Sequence, residues 1–119
     1  MTTKEIAYRL VELSRKGDFE NAQKELFADN AVSVEPYATP AFEKETKGLK
    51  AIKEKGDKWN SMVQQMDSLI VSDPLVASNS FACTMQMNVI IKDRGPIDIN
   101  ELCVYQVKDG KIISEQFYM

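Results

Sequence analysis

The hydrophobic pattern changes its period near residue 66 and divides the chain into two parts. Before this point, apolar residues recur every three or four positions, which is typical of helices with one buried face. After it, apolar and polar residues alternate, which is typical of half-buried strands. The pattern therefore predicts an α+β domain in which three helices pack on an antiparallel sheet.

The first part contains three predicted helices. A capping box at Thr2 begins the first helix, and Gly17 ends it. Asp18 caps the second helix, which is expected to reach Asp29, and the third helix follows Thr46. The expected apolar face of the third helix consists of Leu49, Ile52, Gly56, Trp59 and Val63. We expect close packing to be the reason for a glycine in this row.

Lysines are concentrated in and just before the third helix. Acidic residues are interleaved with them, so we interpret this region as a solvated face rather than a phosphate-binding patch. The lysines are Lys44, Lys47, Lys50, Lys53, Lys55 and Lys58, and the acidic residues are Glu43, Glu45, Glu54 and Asp57.

One strand is predicted between the second and third helices. The pair Asp29-Asn30 indicates a turn into it, and Val32 and Val34 alternate with polar neighbours as in a half-buried strand. Pro36 ends the strand and keeps the preceding Glu35 extended. This segment therefore presents one carboxylate at a strand end.

An irregular loop follows at residues 37–46, where two prolines at or near its start argue against regular structure. It contains Tyr37 and Phe42. These aromatic side chains favour either a flap over a ligand site or an anchor that holds the loop to the core. The sequence leaves both interpretations open.

The β part predicts a strand at Met66–Val71 and then a long meander. Asp93–Pro96 indicates a turn, and Lys108–Lys111 indicates a hairpin whose Asp-Gly pair supplies positive φ angles. One face of the meander is expected to carry Phe81, Cys83, Met85, Met87, Val89, Ile91, Ile97, Ile99, Glu101, Cys103, Tyr105 and Val107. The other face mixes polar and apolar residues, which suits a homodimer surface: Thr84, Gln86, Asn88, Leu102 and Val104.

Length and charge exclude several classes of protein. A chain of 119 residues is expected to form a single domain spanning residues 1–119. A net charge of −3 gives no electrostatic footprint for nucleic acid or an anionic membrane. No apolar run is long enough to span a bilayer, and the first residues do not resemble a signal sequence, so we expect a cytoplasmic protein.

The residue types also limit the chemistry. The absence of histidine removes the commonest general base and the commonest metal ligand, so acid–base chemistry would need Asp, Glu, Tyr, Cys or Lys. No metal or cofactor is predicted. Cys83 and Cys103 lie in apolar runs without a CxxC spacing. We favour buried free thiols in a reducing compartment over a disulfide, and an inert thiol over a nucleophile at Cys103.

Several motifs, in this order and spacing, resemble the NTF2-like superfamily, and in particular its SnoaL-like and ketosteroid-isomerase-like bacterial members. The motifs are Gly17-Asp18, Leu26–Ala31, Gly48 with Ile52, and Val107 with Gly110–Ile112. The resemblance covers nearly the whole chain. It implies a cone-shaped (cystatin-like) fold, in which a strongly curved sheet and the helices enclose an apolar pocket, and a dimer formed through the outer sheet face.

The resemblance also implies candidate site residues. The isomerase branch places an acidic general base at the end of the first strand before a proline, and Glu35 falls on that position. The branch's tyrosine on the first helix would fall near Leu10, with Tyr8 on another face, and its acidic residue on the penultimate strand would fall at Cys103. Glu101 lies one pleat away on the same strand face. The His/Asp pair of cyclase-like members is absent, with Glu115 and Gln116 in that region.

Two functions of different classes follow from the sequence. The first is a module that binds a small apolar metabolite, with pocket-lining residues Tyr37, Trp59, Met85, Met87, Cys103 and Tyr105. The second is an acid–base isomerase, cyclase or dehydratase that uses Glu35 as general base, with Glu101 or a tyrosine as donor. For Glu101, the alternatives are a cavity-lining carboxylate or one paired with a cation. A purely structural dimerisation domain is a third option.

Overall fold

Three helices pack on a seven-stranded sheet in the computed structural model, which describes residues 1–119. The helices are α1 (Thr3–Arg15), α2 (Phe19–Leu26) and α3 (Leu49–Met62). The strands are β1 (Phe27–Val34), β2 (Glu45–Lys47), β3 (Val63–Val71), β4 (Leu75–Val76), β5 (Ser80–Ile91), β6 (Gly95–Lys108) and β7 (Lys111–Tyr118). The predicted α+β architecture with three helices and a large sheet is confirmed.

The sheet has the order β2-β1-β7-β6-β5-β3, with β4 paired to the N-terminal end of β5. All neighbouring strands are antiparallel except β1 and β7, which run parallel. This pairing is possible because α3 and the meander separate the two strands in sequence. It brings the end of β1 beside the C-terminal strand.

The start of the chain follows the predicted capping chemistry. The Thr2 hydroxyl accepts a hydrogen bond from the Glu5 amide at 3.1 Å, and the Glu5 carboxylate accepts one from the Thr2 amide at 2.8 Å. Gly17 adopts a φ of 71° after α1, as a left-handed position at a helix end requires. Asp18 then accepts a hydrogen bond from the Asn21 amide and begins α2.

The predicted turn at Asp29-Asn30 is wrong. Helix α2 ends at Leu26, three residues earlier than expected, and Asp29 and Asn30 belong to β1. The register of β1 against β7 shifts between Phe27 and Val32, so the two polar residues lie in an irregular, exposed part of the strand. A bulge explains why residues with turn propensity occur inside a strand.

Helix α3 differs from its prediction at two positions. It ends at Met62, so Val63 is the first residue of β3 rather than part of the helical face. The expectation of close packing at Gly56 is wrong, because a Cβ added there would have no heavy atom within 4 Å. The glycine that this helix needs is Gly48, directly before its first residue, because a φ of 94° is unfavourable for other residues.

The alternation in β1 is confirmed, but its buried side is the one opposite to the two valines. Ala31 and Ser33 are completely buried, whereas Val32 and Val34 are only half-buried on the opposite face. Side chains two residues apart in a strand lie on the same face, so Glu35 lies on the same side as the buried Ser33, which is the side of the helices. This phase determines on which face of the strand the Glu35 carboxylate lies.

The meander alternates as predicted. β5 and β6 pair directly from Ser80 opposite Gln106 to Ile91 opposite Gly95. The inward residues of β5 are all buried, and those of β6 become buried from Cys103 onward. The outer face carries exposed apolar side chains, including Leu102 and Ile70. None of the three helices has the length and apolar character that a membrane crossing needs.

Candidate functional site

A chain of four polar side chains connects helix α3 to the inner face of the sheet. Lys55 Nζ lies 3.1 Å from Glu35 Oε1 and donates to Ser33 Oγ at 2.7 Å. Ser33 Oγ in turn donates to Glu115 Oε1 at 2.8 Å. The lysine side chain is 15% exposed and that of Glu35 is 26% exposed, so this ion pair is largely shielded from solvent.

Strand pairing explains how these residues meet. Ser33 lies directly opposite Glu115 in the parallel β1–β7 register. Glu35 follows the end of β1, where its amide donates to the Lys44 carbonyl at 2.7 Å and holds the base of the loop. Glu115 has Tyr105 as its partner on β6. The end of β1 therefore faces the middle of β7 within the fold.

The interpretation of Lys55 as part of a solvated lysine face is wrong. Ile52 is 1% exposed, and Trp59 packs against the core. Lys55 lies three residues after Ile52 and four residues before Trp59. Residues at these spacings share one face of a helix, so Lys55 projects inward. Its ammonium also lies 5.8 Å from the centre of the Phe117 ring.

Glu101 is a carboxyl group whose pKa is strongly raised by its surroundings. Burial, followed by the nearby charges of Glu35 and Glu115, raises its pKa from 4.5 to about 7, although Lys55 acts in the opposite direction. The side chain is half-buried on the inward face of β6. Glu35, Glu101 and Glu115 therefore act on one another electrostatically around a single ammonium group.

Glu115 is the deepest carboxyl group of this cluster, with 6% of its surface exposed. Burial raises its pKa, while the Ser33 hydroxyl and the Lys55 ammonium lower it. A carboxylate at this depth would be costly without these two groups. Ser33 and Lys55 thus stabilise the charged form of Glu115 and connect it to Glu35.

The remaining predicted site residues lie in different environments. Met85, Met87, Cys103 and Tyr105 belong to the packed hydrophobic core, and Trp59 packs against that core. Tyr105 stacks on Phe81 with ring centres 4.8 Å apart, and burial raises the pKa of Tyr105 well above 10. Met85, Met87, Cys103 and Tyr105 thus lie on the predicted inward face of the sheet, among core residues.

Tyr37 is not placed at the site, because its side chain is 59% exposed. The loop is held to α3 by other contacts. Lys58 lies 5.3 Å from the centre of the Phe42 ring, and its ammonium donates to the Ala41 carbonyl. Phe42 therefore ties the loop to α3 rather than to the hydrophobic core.

A surface hollow of about 210 Å³ lies between this loop and α3. It includes Lys55 together with Ala41, Phe42, Glu43, Thr46, Ala51, Glu54 and Lys58. A second hollow of about 610 Å³ lies over α1 and α2 and is lined mainly by polar residues. Of the residues in the polar cluster, only Lys55 is among those that line this hollow.

Sequence reasoning missed the roles of Lys55, Ser33 and Glu115. The helical spacing from Ile52 was a usable signal for Lys55, because it places the lysine beside a core residue. Ser33 could have been found only by predicting that the residues alternating with Val32 and Val34, rather than the valines, form the buried face of β1. Glu115 required knowledge that β1 and β7 are neighbours, which no local pattern supplies.

Comparison with known proteins places the chain in a family. Its structure superimposes on that of a protein from Mesorhizobium loti named as a candidate SnoaL-like polyketide cyclase, with a TM-score of 0.91, 31% identity and coverage of 100% of both chains. An NTF2-like protein of unknown function from Burkholderia pseudomallei gives a TM-score of 0.80 at 11% identity, covering 100% of this chain and 92% of that one.

A third similar structure is a Catenulispora acidiphila protein with a ketosteroid isomerase-like fold, solved with trimethylamine. Its TM-score is 0.69 at 18% identity, with 99% of this chain and 87% of that chain covered. A search of curated proteins found no match. The model of the SnoaL-like domain matches residues 1–119, and the chain therefore belongs to the SnoaL-like domain family within the NTF2-like fold.

Proposed function

We propose that this protein is an acid–base enzyme that moves a proton on a small carbonyl compound, as an isomerase or a cyclase does. The observation that carries this proposal is the inward cluster in which Lys55 bonds Glu35 and Ser33, and within whose electrostatic reach burial raises the pKa of Glu101 to about 7. A proton-transfer group works best when its pKa lies near the operating pH. The cyclase name of the Mesorhizobium loti protein agrees with this class of chemistry.

The cluster supplies two complementary groups. In its ionised form, Glu101 takes a proton from a carbon next to the substrate carbonyl, and the electron pair moves onto the carbonyl oxygen. Lys55 stabilises the resulting oxyanion by donating an N–H hydrogen bond. Glu101 then returns the proton to another carbon of the conjugated system, which completes an isomerisation without any net change in its own charge.

Glu35 and Ser33 hold the lysine in place for this step. Lys55 Nζ already contacts Glu35 Oε1 at 3.1 Å and Ser33 Oγ at 2.7 Å. Of the three N–H donors of an ammonium group, one is left for a substrate oxygen. Glu35 remains the alternative general base, as the family resemblance suggests, and its ion pair with Lys55 favours the positioning role.

Binding of an apolar metabolite without catalysis has less support. Four of the six predicted pocket residues pack in the core. The hollow that reaches Lys55 measures about 210 Å³, whereas drug-sized ligand pockets begin near roughly 300 Å³. The ammonium-bearing Lys55 is the cluster residue that lines this hollow, which favours a small, polar carbonyl compound over a bulky apolar one.

The proposal is tested by measuring the rate at which the protein isomerises cyclohex-3-enone, a small ketone. Formation of the conjugated enone is followed by ultraviolet absorbance. We expect the wild-type protein to exceed Glu101→Gln by about a hundredfold, the usual range for one acid–base group. Glu35→Gln should lose less, while an exposed control, Glu45→Gln, should match the wild type. Equal rates for the wild type and Glu101→Gln, or a nuclear magnetic resonance titration that places the Glu101 pKa near 4.5, would contradict the proposal.

We also propose that two copies pair through the outer sheet face. Leu102 is 41% exposed and lies beside Tyr118 of β7, which is 48% exposed, and β3 adds Ile70 at 61%. Analytical ultracentrifugation should give a dimer for the wild type and a monomer for Leu102→Lys. A wild-type monomer at all concentrations would overturn this.

The two free thiols suit a reducing compartment, and a cytoplasmic location remains a prediction.

A further inference from the structure

The two cysteines of the chain face each other across the central pair of strands. Cys83 of β5 and Cys103 of β6 are direct partners in the antiparallel register, and both thiols are free. Both belong to inward rows of the sheet, where Cys83 is 3% and Cys103 is 0% exposed. The strand alternation that builds the core therefore also places two sulfur atoms side by side.

The spacing of direct partners is compatible with a covalent bond. Opposed residues of an antiparallel pair have Cα atoms about 4.5 to 5.5 Å apart, depending on the type of pair. Disulfides span Cα separations of about 4.4 to 6.8 Å. The register alone thus satisfies the backbone requirement, and no rearrangement of β5 or β6 is needed.

The environment makes the two thiols unequal. Cys103 lowers the pKa of the Cys83 thiol through a side-chain hydrogen bond, and the same interaction together with burial raises the pKa of Cys103. Cys83 is therefore the thiol that ionises first, and Cys103 is the one that keeps its proton. This is the asymmetry needed in a pair in which one sulfur attacks an oxidant and the other resolves the product.

We propose that Cys83 and Cys103 are an oxidative modification site that closes reversibly to an intrachain disulfide with a small hydroperoxide as oxidant. The Cys83 thiolate attacks one peroxide oxygen and the O–O bond breaks, which forms a sulfenic acid; the other oxygen leaves as hydroxide and takes up the proton that Cys83 lost on ionisation, giving water. Cys103 sulfur then attacks the Cys83 sulfur, and the displaced hydroxyl group leaves with the Cys103 proton as a second water. Two thiols lose two hydrogen atoms, and hydrogen peroxide is reduced to two water molecules.

Burial determines which oxidants can react. Cys83 is 3% exposed at the inner face of the sheet, which shields it from a bulky disulfide. We expect a molecule as small as hydrogen peroxide to reach it during brief local opening of the fold. We therefore expect oxidation by hydrogen peroxide to exceed oxidation by glutathione disulfide by about tenfold or more at equal concentration. The proposal depends on the thiol pair alone and stands apart from the acid–base function.

The test treats the folded full-length protein with hydrogen peroxide, blocks remaining thiols in denaturant and digests it with trypsin. Cleavage separates the cysteines into the segments 59–92 and 95–108, so a disulfide appears as one linked peptide that a reductant splits. Methionine oxidation adds oxygen to a peptide and does not link two of them. The expected result is the linked peptide, formed at least about tenfold faster with hydrogen peroxide than with glutathione disulfide.

Two variants test the assigned order of attack. In Cys103→Ser, a sulfenic acid on Cys83 should persist and be labelled by dimedone, whereas Cys83→Ser should show little labelling at Cys103. The wild-type peptide map needs neither variant, so the result stands even if one of them fails to fold. The proposal is overturned if no linked peptide forms in the folded protein, or if it forms only after unfolding in urea.

Discussion

Replacement of Glu101 by glutamine should make the protein more stable at neutral pH, although the native side chain belongs to the proposed site. The native carboxyl group has a pKa of about 7 because burial and two neighbouring carboxylates oppose its ionisation. In the unfolded chain, the same group ionises near its ordinary value of 4.5. Glutamine keeps the size of the side chain and removes the titration.

The sign and size of the effect follow from this difference in pKa. Between pH 4.5 and 7 the folded state holds a proton that the unfolded state has released, so the wild type loses stability as the pH rises. The full difference corresponds to about 3 kcal/mol. Because the side chain is half-buried and partly screened by solvent, we expect Glu101→Gln to gain about 2 kcal/mol at pH 8 and almost nothing at pH 4.

Urea unfolding, measured at intervals from pH 4 to pH 8 for both proteins, gives this difference directly. The other titrating groups are common to the two proteins, so their contributions largely cancel. Glu45→Gln, which changes an exposed carboxylate on β2, should follow the wild-type curve. A stability difference that is constant across this pH range, or one in which the variant is weaker at pH 8, would refute the placement of Glu101 in the charged cluster.

Four further changes test separate parts of the structure. Lys55→Met should destabilise the protein by about 2 kcal/mol in urea unfolding at neutral pH, since it leaves Glu35 without its partner. The same variant should raise the Glu101 pKa above about 7 in a nuclear magnetic resonance titration, because Lys55 lowers that pKa. Ser33→Ala should cost about 1 to 3 kcal/mol in the same unfolding assay, because buried Glu115 loses a hydrogen bond, and an unchanged stability would contradict this role. Gly56→Ala should raise the free energy of unfolding by about 0.5 to 1 kcal/mol, since the added Cβ meets nothing within 4 Å; a loss would restore the packing explanation for this glycine. Thr2→Ala should lower the thermal midpoint by removing a capping bond worth about 1 kcal/mol, whereas the neighbouring Thr3→Ala should have a smaller effect.

The parts of the fold that were predictable from sequence are those determined by local chemistry. Asp109 and Gly110 adopt φ angles of 53° and 76° in the hairpin between β6 and β7, as an Asp-Gly pair at a primed turn requires. The long alternation in β5 and β6 also persisted, because each strand places one apolar row against the helices. In both cases, residues within a few positions of one another contain the necessary information.

The errors arose where burial depends on distant partners. Val32 and Val34 look like the buried positions of β1, yet the completely buried residue between them is Ser33. Its hydroxyl is satisfied by Lys55 and Glu115, which lie 22 and 82 residues away. A serine can occupy such a position only when its partners are present, and these become visible only in the folded chain.

The same reasoning explains why the sequence indicated two carboxylates, Glu35 and Glu101, and the structure adds Glu115 as a third. Glu35 was recognisable from its place before a proline, because that signal is local. Glu115 reaches the cluster through the parallel pairing of β1 and β7, and Glu101 affects it from the neighbouring strand β6. Three like charges around one ammonium repel one another, so at least one of them holds its proton more tightly than an isolated carboxyl group would. Burial, together with the strand register that brings the charges of Glu35 and Glu115 near Glu101, therefore raises the Glu101 pKa against the opposing effect of Lys55, and gives the site the capacity for proton transfer that we assign to it.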